Sequence, residues 1–289
     1  MELYYFCVFA VFSFALGSCI ASFLNVCIWR IPRGESVVSP PSHCPKCNAE
    51  IKWYRNIPVV SWLVLRGRCA DCAEPISARY VCVEFLGGVL FALAYFQWGM
   101  PFFLRSYPAF GLVPVAETGT LLVSWLVIAG LILGSFIDLD HYYLPDRVTI
   151  GGMILGVPAS FAFPELQGVA SRTDALALSL GGMAGAFLFL WGIGALASKV
   201  FRKDAMGFGD VKLLGAVGAF FGPVAALFTL VVSAMAGSVA GIAMMARGRA
   251  KLGGFTAVPY GPFIAMGVLV WMYWGPAVVN WYLRLYAGN

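Results

Sequence analysis

The chain has 289 residues, of which 61% are hydrophobic and 11% charged, and its mean hydropathy is +0.83. Soluble domains are about 45–50% apolar and about 25% charged, so this composition excludes an ordinary water-soluble enzyme or binding module and requires several membrane spans. The net charge of +5 matters through its placement along the chain.

Uncharged runs predict the spans in order. The first covers residues 3–29, too long for the apolar core of a cleaved signal, which runs to about 7–15 residues. Further spans are expected over 85–104, 118–137, 148–164 and 175–198. Each is close to the roughly 17–25 residues that cross hydrocarbon. Residues 213–246 are too many for one crossing, and Gly222-Pro223 divides them into a short helix and a longer one. A last span is expected over 258–283.

Lysine and arginine placement gives the orientation. Arg30, Arg33, Lys46, Lys52, Arg55, Arg66, Arg68 and Arg79 mark the segment after the first span as cytoplasmic. Alternation then puts Arg105 and Glu117 outside, Asp138–Arg147 inside, Glu165 and Arg172 outside, and Lys199–Lys212 inside. Only with the break at Gly222-Pro223 do Arg247, Arg249 and Lys251 also fall inside. The predicted fold is an all-α polytopic membrane protein of about eight transmembrane helices. Residues 1–29 form the first helix, 30–80 a cytoplasmic insert, and 81–289 a core of helices 2–8.

The insert carries Cys44-Pro45-Lys46-Cys47 and Cys69-Ala70-Asp71-Cys72. Two such pairs about twenty residues apart follow the four-thiolate zinc pattern. A cytoplasmic compartment argues against the alternative of two disulfides. A redox pair fits poorly, because no βαβ context surrounds the cysteines. An insert of this size has little core of its own, so a metal at Cys44, Cys47, Cys69 and Cys72 would supply folding energy. His43 reads as a loop residue. Cys7, Cys19, Cys27 and Cys82 lie in or beside spans and read as packing residues.

Acids at the ends of apolar runs are functional hypotheses by default. Asp138 ends one run, in Ser135-Phe136-Ile137-Asp138-Leu139-Asp140-His141, and Asp210 opens another, in Met206-Gly207-Phe208-Gly209-Asp210. The predicted topology puts both on the cytoplasmic side, where they could meet across the bundle. Gly207 and Gly209 allow a bend and a close approach beside Asp210. Asp140 reads as a loop residue and Asp146 as the cap of the helix that follows. Lys212 is expected to pair with a nearby acid or a lipid phosphate, Glu84 with a substrate amine or the insert, and Asn25 with a partner inside the membrane.

At this point the residues resemble the type IV prepilin peptidases, membrane aspartyl proteases of bacterial pilus and type II secretion systems. Ser22-Phe23-Leu24-Asn25-Val26 is similar to the family's first-helix signature, with Ala21 where glycine is usual. Asn56-Ile57-Pro58-Val59-Val60-Ser61 lies between the cysteine pairs, and Ile76-Ser77, Arg79-Tyr80 and Glu84 follow them, with Val81 where proline is common. Asp138 with Leu144-Pro145-Asp146, then Gly207-Phe208-Gly209-Asp210, then Pro259-Tyr260-Gly261-Pro262, complete the pattern in order.

The resemblance implies that Asp138 and Asp210 are the catalytic pair, with Gly207 and Gly209 shaping the active site. It implies cleavage of the basic leader from prepilin or pseudopilin precursors at the cytoplasmic face of the bacterial inner membrane. N-methylation of the new terminus with S-adenosylmethionine would follow. No Gly-x-Gly-x-x-Gly follows a strand, so no Rossmann domain is expected. The basic insert is expected to meet anionic lipid, and no nucleic acid partner is expected. Two other readings compete. A metal-dependent membrane transferase or hydrolase would use Asp138, Asp140 and His141 but leaves the glycine motif unexplained. An ion-coupled transporter would hold its acids near the bilayer midplane.

Overall fold

In a computed structural model, residues 2–99, 115–202, 206–247 and 258–287 are described. The expectations for Arg105, Arg249 and Lys251 lie outside these residues. Among the described residues every regular element is helical, in keeping with the all-α prediction. Among the described residues six helices are long and apolar enough to cross a membrane, and the protein is a multi-pass membrane protein.

The chain divides into two compact units, Met1–Leu133 and Gly134–Asn289. In the first, α1 (Glu2–Arg30) packs against α3 (Ala78–Ala94). Small residues make that approach possible, as is usual where lipid removes the hydrophobic driving force between helices. A Cβ on Gly17 would lie 2.6 Å from the Gly87 carbonyl oxygen, and one on Gly87 would lie 2.5 Å from Ala21 Cβ. Ala21, the departure from the usual glycine, is thus accommodated by a glycine opposite. Asn25 finds its partner on the same interface, donating from Nδ2 to the Tyr80 carbonyl at 3.1 Å. The first part of α4 (Val115–His141) packs here too, with Trp125 stacked on Phe91 at 5.3 Å and donating from its ring nitrogen to the Phe91 carbonyl. Of the cysteines expected to pack, only Cys27 is buried; Cys7, Cys19 and Cys82 lie on exposed helix faces.

The second unit holds the last turns of α4, then α5 (Asp146–Ala162), α6 (Arg172–Phe201), α7 (Phe208–Ala246) and α8 (Gly261–Ala287). As a straight rod the 39 residues of α7 would reach about 58 Å, nearly twice the hydrocarbon thickness. They do not run straight. Gly222 has φ 83° and ψ −179°, a conformation that is essentially glycine-only, and Pro223 follows it. Leu214 and Leu230, equidistant from Gly222 in the chain, would be about 24 Å apart on a straight helix. Instead both line one apolar cavity with Ala226, and both join the core around Leu190. The helix therefore folds back into two legs, 208–221 and 223–246, at the predicted break.

The break frees carbonyls buried inside the protein, around Ala219, Phe220 and Phe221, where they need internal partners. Side chains from three neighbouring segments take that place. Ser160 and Ser179 donate to the Ala219 carbonyl at 2.8 and 2.7 Å, and Gln167 Nε2 donates to it at 3.2 Å. Small residues seat the first leg against its neighbours. A Cβ on Gly182 of α6 would lie 2.6 Å from the Gly218 carbonyl oxygen, and one on Gly156 of α5 would lie 2.7 Å from Ala219 Cβ.

Candidate active site and candidate metal centre

The two expected acids come together in the second unit. Asp138 sits in the last turn of α4 and Asp210 in the first turn of α7. They are 5% and 9% exposed, low for carboxylates and consistent with a functional role. Both lie around Leu144, which packs on Gly209 beside Asp210 and on Gly261, whose N–H bonds Asp138. Leu144 wedges the region: a Cβ on Gly209 would meet Leu144 Cβ at 3.0 Å, and one on Gly261 would meet Leu144 Cδ2 at 3.1 Å. Gly209 therefore lets the first leg close down on the loop after Asp138. Gly207 caps that leg in extended conformation, and its carbonyl accepts from the Asp210 backbone N–H at 3.1 Å.

A third element enters that sequence reasoning gave no role. The Gly261 N–H, at the start of α8, donates to Asp138 Oδ2 at 2.8 Å. A Cβ on Gly261 would lie 2.9 Å from that same oxygen, so a side chain there would push the donor away. Tyr260 fixes the segment, its hydroxyl bonded to that of the buried Ser233 on the second leg at 2.9 Å. The Pro259-Tyr260-Gly261-Pro262 motif was the available signal. Ser233 carried none, because a serine in an apolar run gives no hint of what its hydroxyl reaches.

The rival acids stand apart. Asp140 and His141 are exposed, and no metal-binding grouping of Asp138, Asp140 and His141 occurs among the described residues. Asp146 is the first residue of α5, and Pro145 is the cap, with no side-chain cap bond. This corrects the expected capping role: the Asp146 carboxylate instead pairs with Lys212.

In the first unit the four expected cysteines converge. The sulfur atoms of Cys44, Cys47, Cys69 and Cys72 all lie within 4.8 Å of one another. The Cys44 and Cys72 sulfurs are 3.8 Å apart, far beyond a disulfide length of about 2.05 Å. A tetrahedron with metal–sulfur bonds of about 2.3 Å has edges of about 3.8 Å.

The two pairs are built alike. Asn48 N–H bonds the Cys44 carbonyl and Ala73 N–H the Cys69 carbonyl, with φ of 55° and 58° at these equivalent positions. Backbone N–H groups of Cys47 and Lys46 pull the Cys44 thiol down to about 6. Cys72 goes the other way. Although the Glu74 N–H pulls it down, burial and the neighbouring sulfurs push it up to about 12. Four sulfurs this close cannot all ionise without a cation among them, so the donor set fits a thiophilic divalent metal. His43 stays outside the set, its ring nitrogen near the Pro41 carbonyl.

Fold and site together define a polytopic helical membrane protein with a buried carboxylate pair and a tetracysteine insert. Residues 15–98 match the Bacterial Peptidase A24 N-terminal domain, and residues 125–242 match the Type IV leader peptidase family. The chain is 35% identical to a prepilin leader peptidase/N-methyltransferase of Legionella pneumophila, over 96% of this chain and 93% of that one. It is 34% identical to the type 4 prepilin-like proteins leader peptide-processing enzyme of Escherichia coli O78:H11, over 89% of this chain and 91% of the relative. A prepilin leader peptidase/N-methyltransferase of Myxococcus xanthus is 42% identical over 84% of this chain, but the match spans only 65% of that longer relative. No solved structure matches the chain. The chain belongs to the type IV leader peptidase family.

Proposed function

We propose that this protein cleaves the leader from prepilin or pseudopilin precursors and methylates the new N-terminus. The carrying observation is the burial of Asp138 and Asp210, from different helices, around the shared Leu144, which packs on Gly209 beside Asp210 and on Gly261 bonded to Asp138. Two carboxylates so close resist joint ionisation, so one holds a proton while the other does not. The ionised carboxylate takes a proton from water as the water oxygen bonds to the scissile carbonyl carbon. The protonated one donates a hydrogen bond to the carbonyl oxygen. Collapse of the adduct breaks the carbon–nitrogen bond, and the proton passes to the leaving amine. The Gly261 N–H bonds Asp138 Oδ2 and so fixes the orientation of that carboxyl. Gly207 and Gly209 give the Asp210 backbone the room that this closeness requires.

Zinc is the metal we assign to Cys44, Cys47, Cys69 and Cys72, as a closed structural site that folds the insert and takes no part in hydrolysis. S-adenosylmethionine is the methyl donor that the relatives' names support. The cavity of about 320 Å³ beside Leu214 and Pro223 is apolar throughout and does not fit a charged sulfonium, so no step is routed through it. In our reading α5 and each leg of α7 also cross the bilayer. This gives eight spans in the bacterial inner membrane, with the acids facing the cytoplasm and anionic lipid against the basic insert. Incubating the purified protein with a prepilin, with and without S-adenosylmethionine, and weighing the product tests this. Loss of the leader alone is expected without donor, and a further methyl group with it. An intact precursor under both conditions would overturn the reading.

A further inference from the structure

The insert contains a surface that neither the carboxylate pair nor the cysteine cluster uses. Helix α2 (Val60–Val64) is short and wholly uncharged. Three of its five side chains are strongly exposed: Val60 at 52%, Leu63 at 60% and Val64 at 74%. In a water-facing zinc domain this is an unfavourable surface. Its position accounts for it. The N–H of Val59, the residue just before α2, donates to Glu84 Oε2 at 2.8 Å. Glu84 lies about 9 Å along α3 from its first residue. It is also the last charged residue before the apolar stretch that begins with the exposed Phe85 and Leu86. Glu84 thus meets the insert rather than standing open to a substrate, and it ties the start of α2 to the level where hydrocarbon begins.

The rest of the helix is held rigidly there. Trp62 donates from its ring nitrogen to the Ile76 carbonyl at 3.2 Å, and its ring covers Gly67, where the chain turns away. Exposed cations bracket the helix: Lys52 on one side, Arg66 and Arg68 on the other. Apolar side chains framed by lysine and arginine are the composition of a segment that lies in the headgroup layer of an anionic bilayer. The same cations disfavour a basic leader as the occupant.

The geometry points to α2 as an interfacial anchor: Val60, Leu63 and Val64 sit in the lipid boundary, and Lys52, Arg66 and Arg68 contact anionic headgroups. The anchor is independent of the hydrolytic reading, since it needs only that α3 crosses the membrane. It fastens the cysteine insert to the bilayer surface at a third point, besides its two flanking helices.

The test is what lies against α2 in a membrane. A diazirine analogue of leucine is incorporated at position 64, or at position 63 should the first protein lose its native melting temperature. The full-length protein is placed in nanodiscs of phosphatidylcholine and phosphatidylglycerol in equal amounts, irradiated and weighed. Phospholipid adducts are expected, with phosphatidylglycerol above its mole fraction. Lys52→Gln with Arg66→Gln and Arg68→Gln should return that ratio to the mole fraction. Water adducts alone would overturn the anchor. So would crosslinks to a second copy of the chain, or to an added precursor, in place of lipid. Lipid adducts without preference for phosphatidylglycerol would overturn the role given to the three cations.

Discussion

Asp138 and Asp210 differ in what holds them. Asp138 is fixed through one oxygen by a backbone donor from another helix, whereas Asp210 depends on the position of its own leg. Replacing either by Asn keeps the size and hydrogen bonding but removes ionisation. Each change should lower single-turnover cleavage of a precursor by about 10²–10⁴-fold. The double variant should be little worse than either single one, because the two act as a unit. Near-native cleavage by folded Asp210→Asn would remove it from the reaction. Gly261→Ala addresses the backbone donor. Its Cβ would meet Asp138 Oδ2 at 2.9 Å, and misplacement of a reacting group by about 1 Å can cost roughly 10²-fold. We expect that loss in the turnover rate, with leader binding unchanged. Tyr260→Phe should show a smaller loss of the same kind, since it cuts the bond to Ser233 but leaves the Gly261 N–H.

At the scale of elements, two local devices carry the arrangement. The fold-back of α7 rests on Gly222, whose backbone conformation costs other residues about 1–3 kcal/mol. A Cβ there would also overlap Gln167 Oε1. Gly222→Ala should lower stability by at least that amount in denaturant titration, and cleavage should fall with it because the first leg carries Asp210. Ser179→Ala is the milder control, at about 0.6–2 kcal/mol for one hydrogen bond inside a membrane protein. Native stability in Gly222→Ala would contradict the break. The cysteine cluster is the second device. Protein from metal-replete cells should hold about one zinc per chain. A strong chelator, or Cys44→Ser with Cys69→Ser, should speed amide exchange across residues 44–76 while the membrane helices stay protected. Acidification should also release the metal, because each sulfur must shed a proton to bind it. Unchanged exchange after verified metal removal would refute a structural site.

For the whole molecule the fold-back decides topology. If both legs of α7 cross the bilayer, reporters fused after Gly222 and after Gly248 should report opposite sides. A reporter on the same side at both would mean that α7 crosses once and that the eight-span reading is wrong. The hydrogen bond from Tyr260 to Ser233 favours opposite sides, because the second leg must return towards the Asp210 end for Ser233 to meet the start of α8.

Much of this was legible in the sequence because membranes make composition decisive. Uncharged runs of the right length had to be helices, since no other open structure satisfies the backbone in lipid. The cysteine spacing picked out the four sulfurs that cluster, because each pair is a local turn that closes on itself. The break at Gly222-Pro223 was legible for the same reason, as one glycine and one proline act on their own backbone. What lies beyond a turn's reach was not. The Gly261 donor to Asp138 joins residues 123 positions apart, and the Asp146–Lys212 pair joins residues 66 apart. Asp146 read as a cap because capping is local; its partner on α7 was set by how α5 and α7 pack. Nothing in the sequence singles out Ser160, Ser179 and Gln167, which only the fold brings to the Ala219 carbonyl. The sequence determined which segments are helical, which residues carry charge and which cysteines form a group. Tertiary packing alone decided which buried donor meets which acceptor, because side-chain reach is a few ångströms and only the assembled helices bring distant residues within it.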